Sequence, residues 1–302
     1  MATKLIRRVF FEEQWFIAFS RRQKQSLFQQ RSEDFWQIVP PRGHFYADPL
    51  LFAWRGKDYV FFEDFVYQNR KGVISCMAVN GYGSWTAPVK VLEREYHLSY
   101  PCVFEWENEI YMIPETSKNH TIELYKAVEF PFRWKFEKVL LDGLIASDNT
   151  LFKARDGKFW LLSSIASSCD SLGPLYAFLS ESPLGGWASH RLNPIVADSL
   201  RSRPAGQLFW HEGQLFRPSQ DCSAIYGQTI ILNRIDEMSE DAYSEAPFSV
   251  LDPSFLPGSS RTHTINRSDQ FEVRDALRYV PRQEWLRFVS RVVRRSVSPT
   301  LL

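Results

Sequence analysis

The sequence predicts an all-β protein, a five-bladed β-propeller followed by a short C-terminal amphipathic helix. The main observation is a repeated motif, in which an apolar pair ending in Phe is followed by a polar turn and an aromatic-rich run. Its Phe anchors are Phe52, Phe104, Phe152 and Phe209, separated by 52, 48 and 57 residues. Such spacing fits one four-stranded blade per repeat.

Each repeat also has the pattern of a β-hairpin, which is the second observation. An aromatic residue follows each Phe anchor by seven positions: Tyr59, Tyr111, Phe159 and Phe216. The residues between them include Gly or Asn, which supply the positive φ that tight hairpin turns require. The repeats therefore predict the inner strand pairs of four blades.

The two ends of the chain are expected to supply a fifth blade. Residues 260–274 would carry its inner strands, and Phe35–Val39 would complete it, closing the ring and removing free sheet edges. The predicted domains are an N-terminal segment (1–34), the propeller (35–280) and a helical tail (281–302). The alternative fold is a β-sandwich, but sandwich strands recur every 8–12 residues without a fifty-residue register.

Composition excludes several classes of protein. The 302 residues contain 36 Lys and Arg against 35 Asp and Glu, a net charge of +1 that argues against wholesale nucleic-acid binding. The four cysteines lie far apart without metal-ligand spacing, so reduced thiols are expected and structural zinc is not. The N-terminus has no signal-peptide pattern and the sequence has no apolar run long enough to span a membrane. These features predict a soluble, cytoplasmic protein.

The candidate site lies where the inner strands begin, because these ends meet at the central channel of a propeller. Asp48, Tyr100 and Asp148 each stand four residues before a Phe anchor, so they should converge. Paired carboxylates are what glycosidic chemistry uses for proton transfer and for supporting an oxocarbenium-like sugar. A divalent cation held by Asp48 and Asp148 is the one cofactor that this pattern allows.

Blade two offers two further candidates. Glu115 ends its second strand and His97 precedes its first strand. The alternatives are a capped turn for Glu115 and an ordinary loop histidine for His97.

Blade four contributes two arginines at the ends of a short hairpin. Arg203 and Arg217 either pair with Asp48 and Asp148 or bind a phosphorylated substrate, since a guanidinium is rarely buried without an anion. Further substrate-binding candidates follow in the chain: Gln220, Asp221, Tyr226 and His263.

The C-terminal stretch has a different character. On a helical wheel, Trp285, Leu286 and nearby valines fall on one side, and the arginines from Arg287 to Arg295 fall on the other. This profile is typical of a helix in a membrane interface, with residues 282–295 facing anionic lipid. A helix packed on the propeller with a basic outer face is the alternative.

Several motifs together resemble the propeller domain of plant glucosamine inositolphosphorylceramide transferases and related bacterial domains of surface-polysaccharide biosynthesis. The resemblance covers roughly Phe35 to Asn266. The motifs that carry it are Phe45-Tyr46-Ala47-Asp48-Pro49, His97-Leu98-Ser99-Tyr100-Pro101, Tyr111-Met112-Ile113-Pro114-Glu115-Thr116, Arg203-Pro204-Ala205-Gly206, Arg217-Pro218-Ser219-Gln220-Asp221, Tyr226-Gly227 and His263-Thr264.

More distantly, Asp48-Pro49 and Asp148 are similar to positions in five-bladed furanosidases of the arabinanase and fructosidase type. That resemblance implies a general base at Asp48 and a pKa-tuning carboxylate at Asp148. Those enzymes take their general acid from a Glu on a later blade. This chain departs from them there, since blade four offers arginines and Glu115 is the nearest substitute.

The sequence therefore predicts a glycosyltransferase of surface-polysaccharide or glycolipid biosynthesis. It would move a furanosyl or phosphoribosyl unit from a phosphate-activated donor to a glycan or glycolipid acceptor, at the inner face of the cytoplasmic membrane. Asp48 would be the base, Asp148 and Glu115 would assist it, Arg203 and Arg217 would hold the phosphate, and His97, Tyr100 and Tyr226 would line the site. The alternatives are a furanosidase-like hydrolase and a non-catalytic glycan-binding propeller that assists a partner transferase.

Overall fold

A computed structural model describes residues 10–22, 32–168 and 171–282. Within these ranges the chain is almost entirely β-structure. In chain order the strands are β1 (Phe11–Arg21), β2 (Trp36–Ile38), β3 (His44–Trp54), β4 (Lys57–Val66), β5 (Lys71–Val79), β6 (Val89–Leu92), β7 (Ser99–Trp106), β8 (Glu109–Glu115), β9 (Thr121–Glu129), β10 (Arg133–Asp142), β11 (Ile145–Lys153), β12 (Phe159–Ala166), β13 (Leu175–Ser180), β14 (Ala188–Ser189), β15 (Arg203–Pro204), β16 (Phe209–His211), β17 (Gln214–Asp221), β18 (Thr229–Met238), β19 (Tyr243–Leu251), β20 (Ile265–Arg267) and β21 (Phe271–Pro281).

These strands form five antiparallel sheets, which are the blades of a propeller. Blade one is β3-β4-β5-β6, blade two is β7-β8-β9-β10 and blade three is β11-β12-β13-β14. Blade four is β17-β18-β19 with the short β15 and β16 both paired to β17. Blade five is β20-β21-β1-β2. The predicted all-β, five-bladed architecture is confirmed.

The predicted hairpins are present, and Gly or Asn supplies positive φ in their turns: Gly56, Asn108, Gly157 and Gly213. In blade one, the two aromatic residues of the motif, Phe52 and Tyr59, face each other across the ladder. Blade three differs by one position, since Phe152 faces Trp160 rather than Phe159. Its turn is one residue longer, with the Ala154 N–H bonded to the carbonyl of Lys158.

Blade five closes the ring, but with a strand that the sequence analysis left outside the propeller. Strand β1 pairs with β21 over its full length, from Phe11 opposite Pro281 to Arg21 opposite Phe271. Strand β2 then pairs with the outer side of β1. The propeller therefore begins before the expected boundary at residue 35, because the central part of blade five comes from both ends of the chain.

The core consists of apolar layers between neighbouring blades. Between blades five and one, for example, Phe19 and Phe271 pack in one cluster with Phe62 and Met77. Similar clusters lie at the boundaries of blades one and two, two and three, and three and four. Burial of such large apolar side chains is the main favourable term in folding, so each blade depends on its neighbours for stability.

The inner strands of blades one, two and three share a bulge at one equivalent position. The residues there are Asp48, Tyr100 and Asp148, with φ of 49°, 44° and 55°, and the strand register shifts around each of them. This left-handed conformation is uncommon outside glycine, although Asp tolerates it better than most residues. The repeat spacing therefore identified a shared backbone feature that re-aims three side chains.

Helical structure in the described ranges is limited to three 3-10 turns: Ser32–Asp34, Ser117–Asn119 and Pro253–Phe255. No helix found there has the length and apolar character to cross a membrane. The predicted amphipathic helix spans residues 281–302, of which 283–302 lie outside the described part of the chain. Its first residue, Pro281, ends β21 instead.

Candidate active site at the propeller centre

Buried carboxylates from four blades meet at the centre of the ring. The sequence analysis named three of them, Asp48, Glu115 and Asp148, and the structure adds Glu63 and Asp275; none is more than 6% exposed. The charges of Glu115 and Asp148 help to raise the pKa of Glu63, which places blades one, two and three at a common site. Unpaired buried carboxylates are unfavourable, so such a group points to function.

Asp48 is joined to blade five through His263 and Asp275. Oδ1 of Asp48 accepts a hydrogen bond from the Thr264 hydroxyl at 3.0 Å and lies 3.4 Å from Nε2 of His263. Nδ1 of His263 is in ion-pair contact with Asp275 at 2.6 Å. Burial disfavours a charged imidazole, but Asp275 more than offsets this, so the pKa of His263 is raised. Burial also raises the pKa of Asp48, against the opposing charge of His263.

Asp275 is fully used in holding this arrangement. Its Oδ1 accepts the backbone N–H groups of His263 and Thr264 at 2.8 and 3.0 Å, and its Oδ2 accepts the Asp48 N–H at 3.2 Å. Asp48, His263 and Asp275 lie close enough together to hold a metal ion. They do not fit one chemically, because three backbone N–H groups and Nδ1 of His263 already occupy the oxygens of Asp275.

Asp148 forms the second polar group of the centre, with Arg203 and Gln220 of blade four. Its Oδ2 accepts hydrogen bonds from Nε of Arg203 at 2.6 Å and from Nε2 of Gln220 at 2.9 Å. Burial raises the pKa of Asp148, whereas the adjacent guanidinium of Arg203 opposes that shift. The predicted pairing of Arg203 with a channel aspartate is therefore present. It also leaves Asp148 poorly suited to the predicted cation.

Glu115 supports Asp148 from blade two. Its Oε2 accepts the Asp148 backbone N–H at 3.0 Å, its Oε1 accepts the Ser117 hydroxyl at 2.7 Å, and Arg203 lies 3.8 Å away. Both bulged aspartates are held in the same way. In each, the backbone N–H that the bulge removes from the ladder is accepted by a carboxylate of the preceding blade, Asp275 for Asp48 and Glu115 for Asp148. Glu115 is thus a positioning residue at the centre.

Glu63 is the central carboxylate with a buried oxygen that accepts no hydrogen bond from the described residues. Its Oε1 is buried and accepts no hydrogen bond, and the nearest base, Nε2 of His97, is 3.4 Å away. Nδ1 of His97 accepts the Gly72 N–H at 2.9 Å, so the proton of the neutral imidazole is on Nε2. Burial, together with neighbouring carboxylates, raises the pKa of Glu63 well above its usual range.

Aromatic rings frame the histidine of blade five. Trp15 stacks on His263 with ring centroids 4.1 Å apart, and Tyr226 packs against the imidazole edge-on at 5.4 Å. Tyr226 is 42% exposed and its ring also contacts Arg203. Such rings suit the apolar face of a sugar.

The structure does not bring two of the predicted residues into the centre. Arg217 is fully buried but bonds to Glu245 at 2.6 and 2.7 Å, so neither of its expected roles is present. Asp221 caps a turn by accepting two hydrogen bonds from Ser223. Tyr100 lies near both bulged aspartates, since burial and the charges of Asp148 and Asp48 raise its pKa, and its hydroxyl bonds to Thr150 of blade three.

Gly72 makes room for Glu63 and His97, so a larger residue at this position should destabilise the fold. A Cβ atom at this residue would lie 2.5 Å from the Leu98 carbonyl oxygen, 2.7 Å from Glu63 Oε1 and 2.8 Å from His97 Cε1. We expect Gly72→Ala to lower the free energy of unfolding by about 1–3 kcal/mol. Gly81→Ala is the matched control, since its Cβ would meet only the mobile end of Arg21. Urea unfolding of both variants tests this, and equal stability would contradict it.

Comparison with known proteins then identifies the domain. The family described as "Glucosamine inositolphosphorylceramide transferase 1, N-terminal" matches residues 39–275. The chain belongs to this family. Relatives named glucosamine inositolphosphorylceramide transferase 1 are 37% identical over 212 residues in Oryza sativa subsp. japonica and 36% identical over 214 residues in Arabidopsis thaliana. Each match covers 68% of this chain but only 28% of the relative, so the family domain is a minor part of those proteins.

Solved structures with the same fold are glycoside hydrolases. A family 117 glycoside hydrolase from Zobellia galactanivorans has a TM-score of 0.56 at 13% identity, with 87% of this chain and 90% of that chain covered. The RS223 β-xylosidase has a TM-score of 0.55 at 9% identity, with 79% and 92% covered. An exo-1,5-α-L-arabinanase from a bovine ruminal metagenomic library gives 0.51 at 14%, with 79% and 94% covered. At these identities the likeness concerns the fold alone.

Proposed function

We propose that this domain catalyses glycosyl transfer to a glycan or glycolipid acceptor, with Asp48 as the base that removes the proton of the acceptor hydroxyl. The observation that carries the proposal is the buried Asp48–His263–Asp275 group, in which a carboxylate at the propeller centre is fixed by two side chains of another blade. Membership of a transferase-named family supports the reaction class. The relatives are named for an inositolphosphorylceramide, which makes a glycolipid the first acceptor to test.

Asp48 has the surroundings that a base of this kind needs. Its raised pKa brings it closer to the working pH, which favours proton transfer. His263, whose pKa is raised by Asp275, lies 3.4 Å from the carboxylate, and its charge opposes the effect of burial on the pKa of Asp48. After the acceptor proton reaches Asp48, the acceptor oxygen attacks the anomeric carbon of the donor.

The furanosyl or phosphoribosyl donor with an activating phosphate, expected from the sequence, is the part of the hypothesis with the weakest support. Arg203 is bonded to Asp148 and Arg217 to Glu245, so neither guanidinium is open to a phosphate. Five carboxylates at the centre also oppose an incoming anion. A phosphate group would have to lie outside this centre.

Two observations favour the other candidates. Glu63 provides the buried carboxylic acid that a glycoside hydrolase needs, which favours the furanosidase-like alternative. The curated relatives are much longer than the matched region, which favours a glycan-binding propeller that assists a separate transferase. A cytoplasmic location with peripheral membrane contact through residues 282–295 is also proposed, on the basic amphipathic pattern of that segment.

A ligand panel separates these functions. We expect neutral furano-oligosaccharides to raise the melting temperature of the wild-type protein. At a free ligand concentration about one hundred times Kd, binding should raise the free energy of unfolding by about 2.7 kcal/mol. Sugar phosphates, phosphoribosyl diphosphate and nucleotide sugars are tested in parallel on wild type, Arg203→Ala and the exposed control Arg133→Ala. If only phosphorylated donors stabilise the protein, and Arg203→Ala abolishes this effect, the centre binds a phosphate and not an uncharged sugar. Products are then analysed, because transfer yields a new glycan and hydrolysis yields free sugar.

A further inference from the structure

We infer that Glu63 is the general acid of this centre, so that the donor is a glycoside with an alkoxide leaving group and not a sugar phosphate. The inference rests on the proposed function, since it completes the same reaction. The sequence offered Glu115 as the nearest substitute for this acid. The structure points instead to a residue on the second strand of blade one.

Glu63 is positioned beside the base. It faces Ala47 across the β3–β4 ladder, the residue just before Asp48. Glu115 occupies the same register in blade two, opposite Ser99, and Gln220 does so in blade four, opposite Arg203. The second strands of three blades therefore deliver one polar side chain each to the centre at an equivalent point.

Among the central carboxylates of the described residues, Glu63 alone has a buried oxygen that accepts no hydrogen bond, although Nε2 of His97 lies 3.4 Å from it. Oxygens of the others accept hydrogen bonds that hold a carboxylate in place: Glu115 from Ser117 and the Asp148 N–H, Asp148 from Arg203 and Gln220, and Asp275 from three backbone N–H groups. A buried carboxyl group without such donors is more stable as the neutral acid. Glu63 can therefore release a proton during the reaction.

The groups facing Glu63 keep it protonated. Burial is the largest cause of its raised pKa, followed by the charges of Asp48, Glu115, Asp148 and Asp64. The one base in contact is His97, and burial lowers the pKa of that imidazole. Arg203 is bonded to Asp148, and the charge of Lys118 acts on His97 and helps to lower its pKa. Within the described residues, no Lys or Arg forms an ion pair with the Glu63 carboxylate, whose ion-pair contact is with Nε2 of His97.

The reaction balances with these two residues. The acceptor O–H loses its proton to Asp48 while its oxygen bonds to the anomeric carbon of the donor. The bond from that carbon to the leaving oxygen breaks, and the leaving oxygen takes the proton of Glu63. Asp48 ends protonated and Glu63 ionised, and proton exchange with solvent restores both. With water as acceptor, the same steps give hydrolysis.

Proton delivery identifies the donor class. An alkoxide is a poor leaving group and needs a general acid, whereas a phosphate leaves as a stable anion and needs cations instead. The centre offers a neutral acid and no uncommitted arginine. The expected substrate is therefore a glycan or an alkyl glycoside.

Leaving-group dependence tests the inference. Wild type, Glu63→Gln, Asp48→Asn and the exposed control Glu105→Gln are assayed with methyl, 4-nitrophenyl and 2,4-dinitrophenyl arabinofuranosides and with arabinan oligosaccharides. We expect Glu63→Gln to lose about 10²- to 10⁴-fold activity on methyl and oligosaccharide donors and less than about tenfold on the dinitrophenyl donor, which needs no acid. If Glu63→Gln keeps its activity on the methyl donor, the inference is wrong. If Asp48→Asn loses its activity in the same assay, the proposed function still stands. Failure of wild type with every donor in this and the phosphorylated panel overturns the proposed function.

A second measurement does not depend on turnover. In ¹³C-carboxyl NMR titrations, wild type should show a glutamate that titrates well above the ordinary value and whose signal is missing from Glu63→Gln. A Glu63 signal that titrates near the ordinary value, about 4.3, overturns the inference by itself. The raised pKa means that folding retains a proton which the unfolded chain releases, so wild-type stability should fall relative to Glu63→Gln as pH rises above that value.

Discussion

Replacing Asp48 by Asn is expected to reduce kcat about 10²- to 10⁴-fold while the fold is retained. The loss is the usual contribution of a general base, and Asn removes the base without changing the shape of the side chain. Asn can still accept the Thr264 hydroxyl and fill the space beside His263. Stability should not fall, since the change removes one charge from a crowded group of carboxylates.

The pH profile provides the check on this result. Because burial raises the pKa of Asp48, the acidic limb of wild-type kcat/KM should lie above the ordinary Asp value of about 3.9. That limb should vanish with the activity in Asp48→Asn. Asp142→Asn is the matched control, an exposed aspartate at the end of β10, the outer strand of blade two. Full activity of Asp48→Asn on a substrate that wild type turns over would refute the role of this residue.

Replacing Arg217 by Ala is expected to lower the free energy of unfolding by about 3–5 kcal/mol, the largest stability effect predicted here. The guanidinium is fully buried, bonds twice to Glu245 and donates to the Arg201 carbonyl oxygen. Removing it leaves the Glu245 carboxylate, 3% exposed, without its partner. Urea unfolding with matched m-values measures the change.

Arg191→Ala is the control for this prediction. Its ion pair with Asp241 is exposed on both sides, at 62% and 76%, so its loss should change stability by less than about 1 kcal/mol. Equal stability of the two variants would show that the buried pair contributes little. If Arg217→Ala does not fold, Glu245→Gln measures the same interaction more gently, because the amide keeps one acceptor.

The propeller was predictable because its repeats are local. The Phe anchors, the aromatic residues seven positions later and the turn glycines all act within one hairpin, so they leave a pattern in a short window. Strand β1 was missed because its partner, β21, lies at the other end of the chain. No local pattern reports a pairing of that kind.

The site was predictable where the repeat defined it and unreliable elsewhere. Glu63, Glu115 and Gln220 all stand eleven residues after a Phe anchor, so the spacing contained a signal for Glu63 that was not used. Arg217 was wrongly placed because it is three residues before Gln220, which puts their side chains on opposite faces of one strand. Asp275 lies in blade five, where no Phe anchor marks the register.

Closure of the ring through β1 and β21 has a consequence for the order of folding. Phe11 and Pro281 pair across almost the whole chain, so this contact has one of the largest loop-closure entropies in the molecule. During synthesis, blades one to four can assemble before β21 has left the ribosome. His263 and Asp275 belong to blade five and Asp48 to blade one. A partly synthesised chain therefore has no complete centre, and the chemistry begins only once the last strand has met the first.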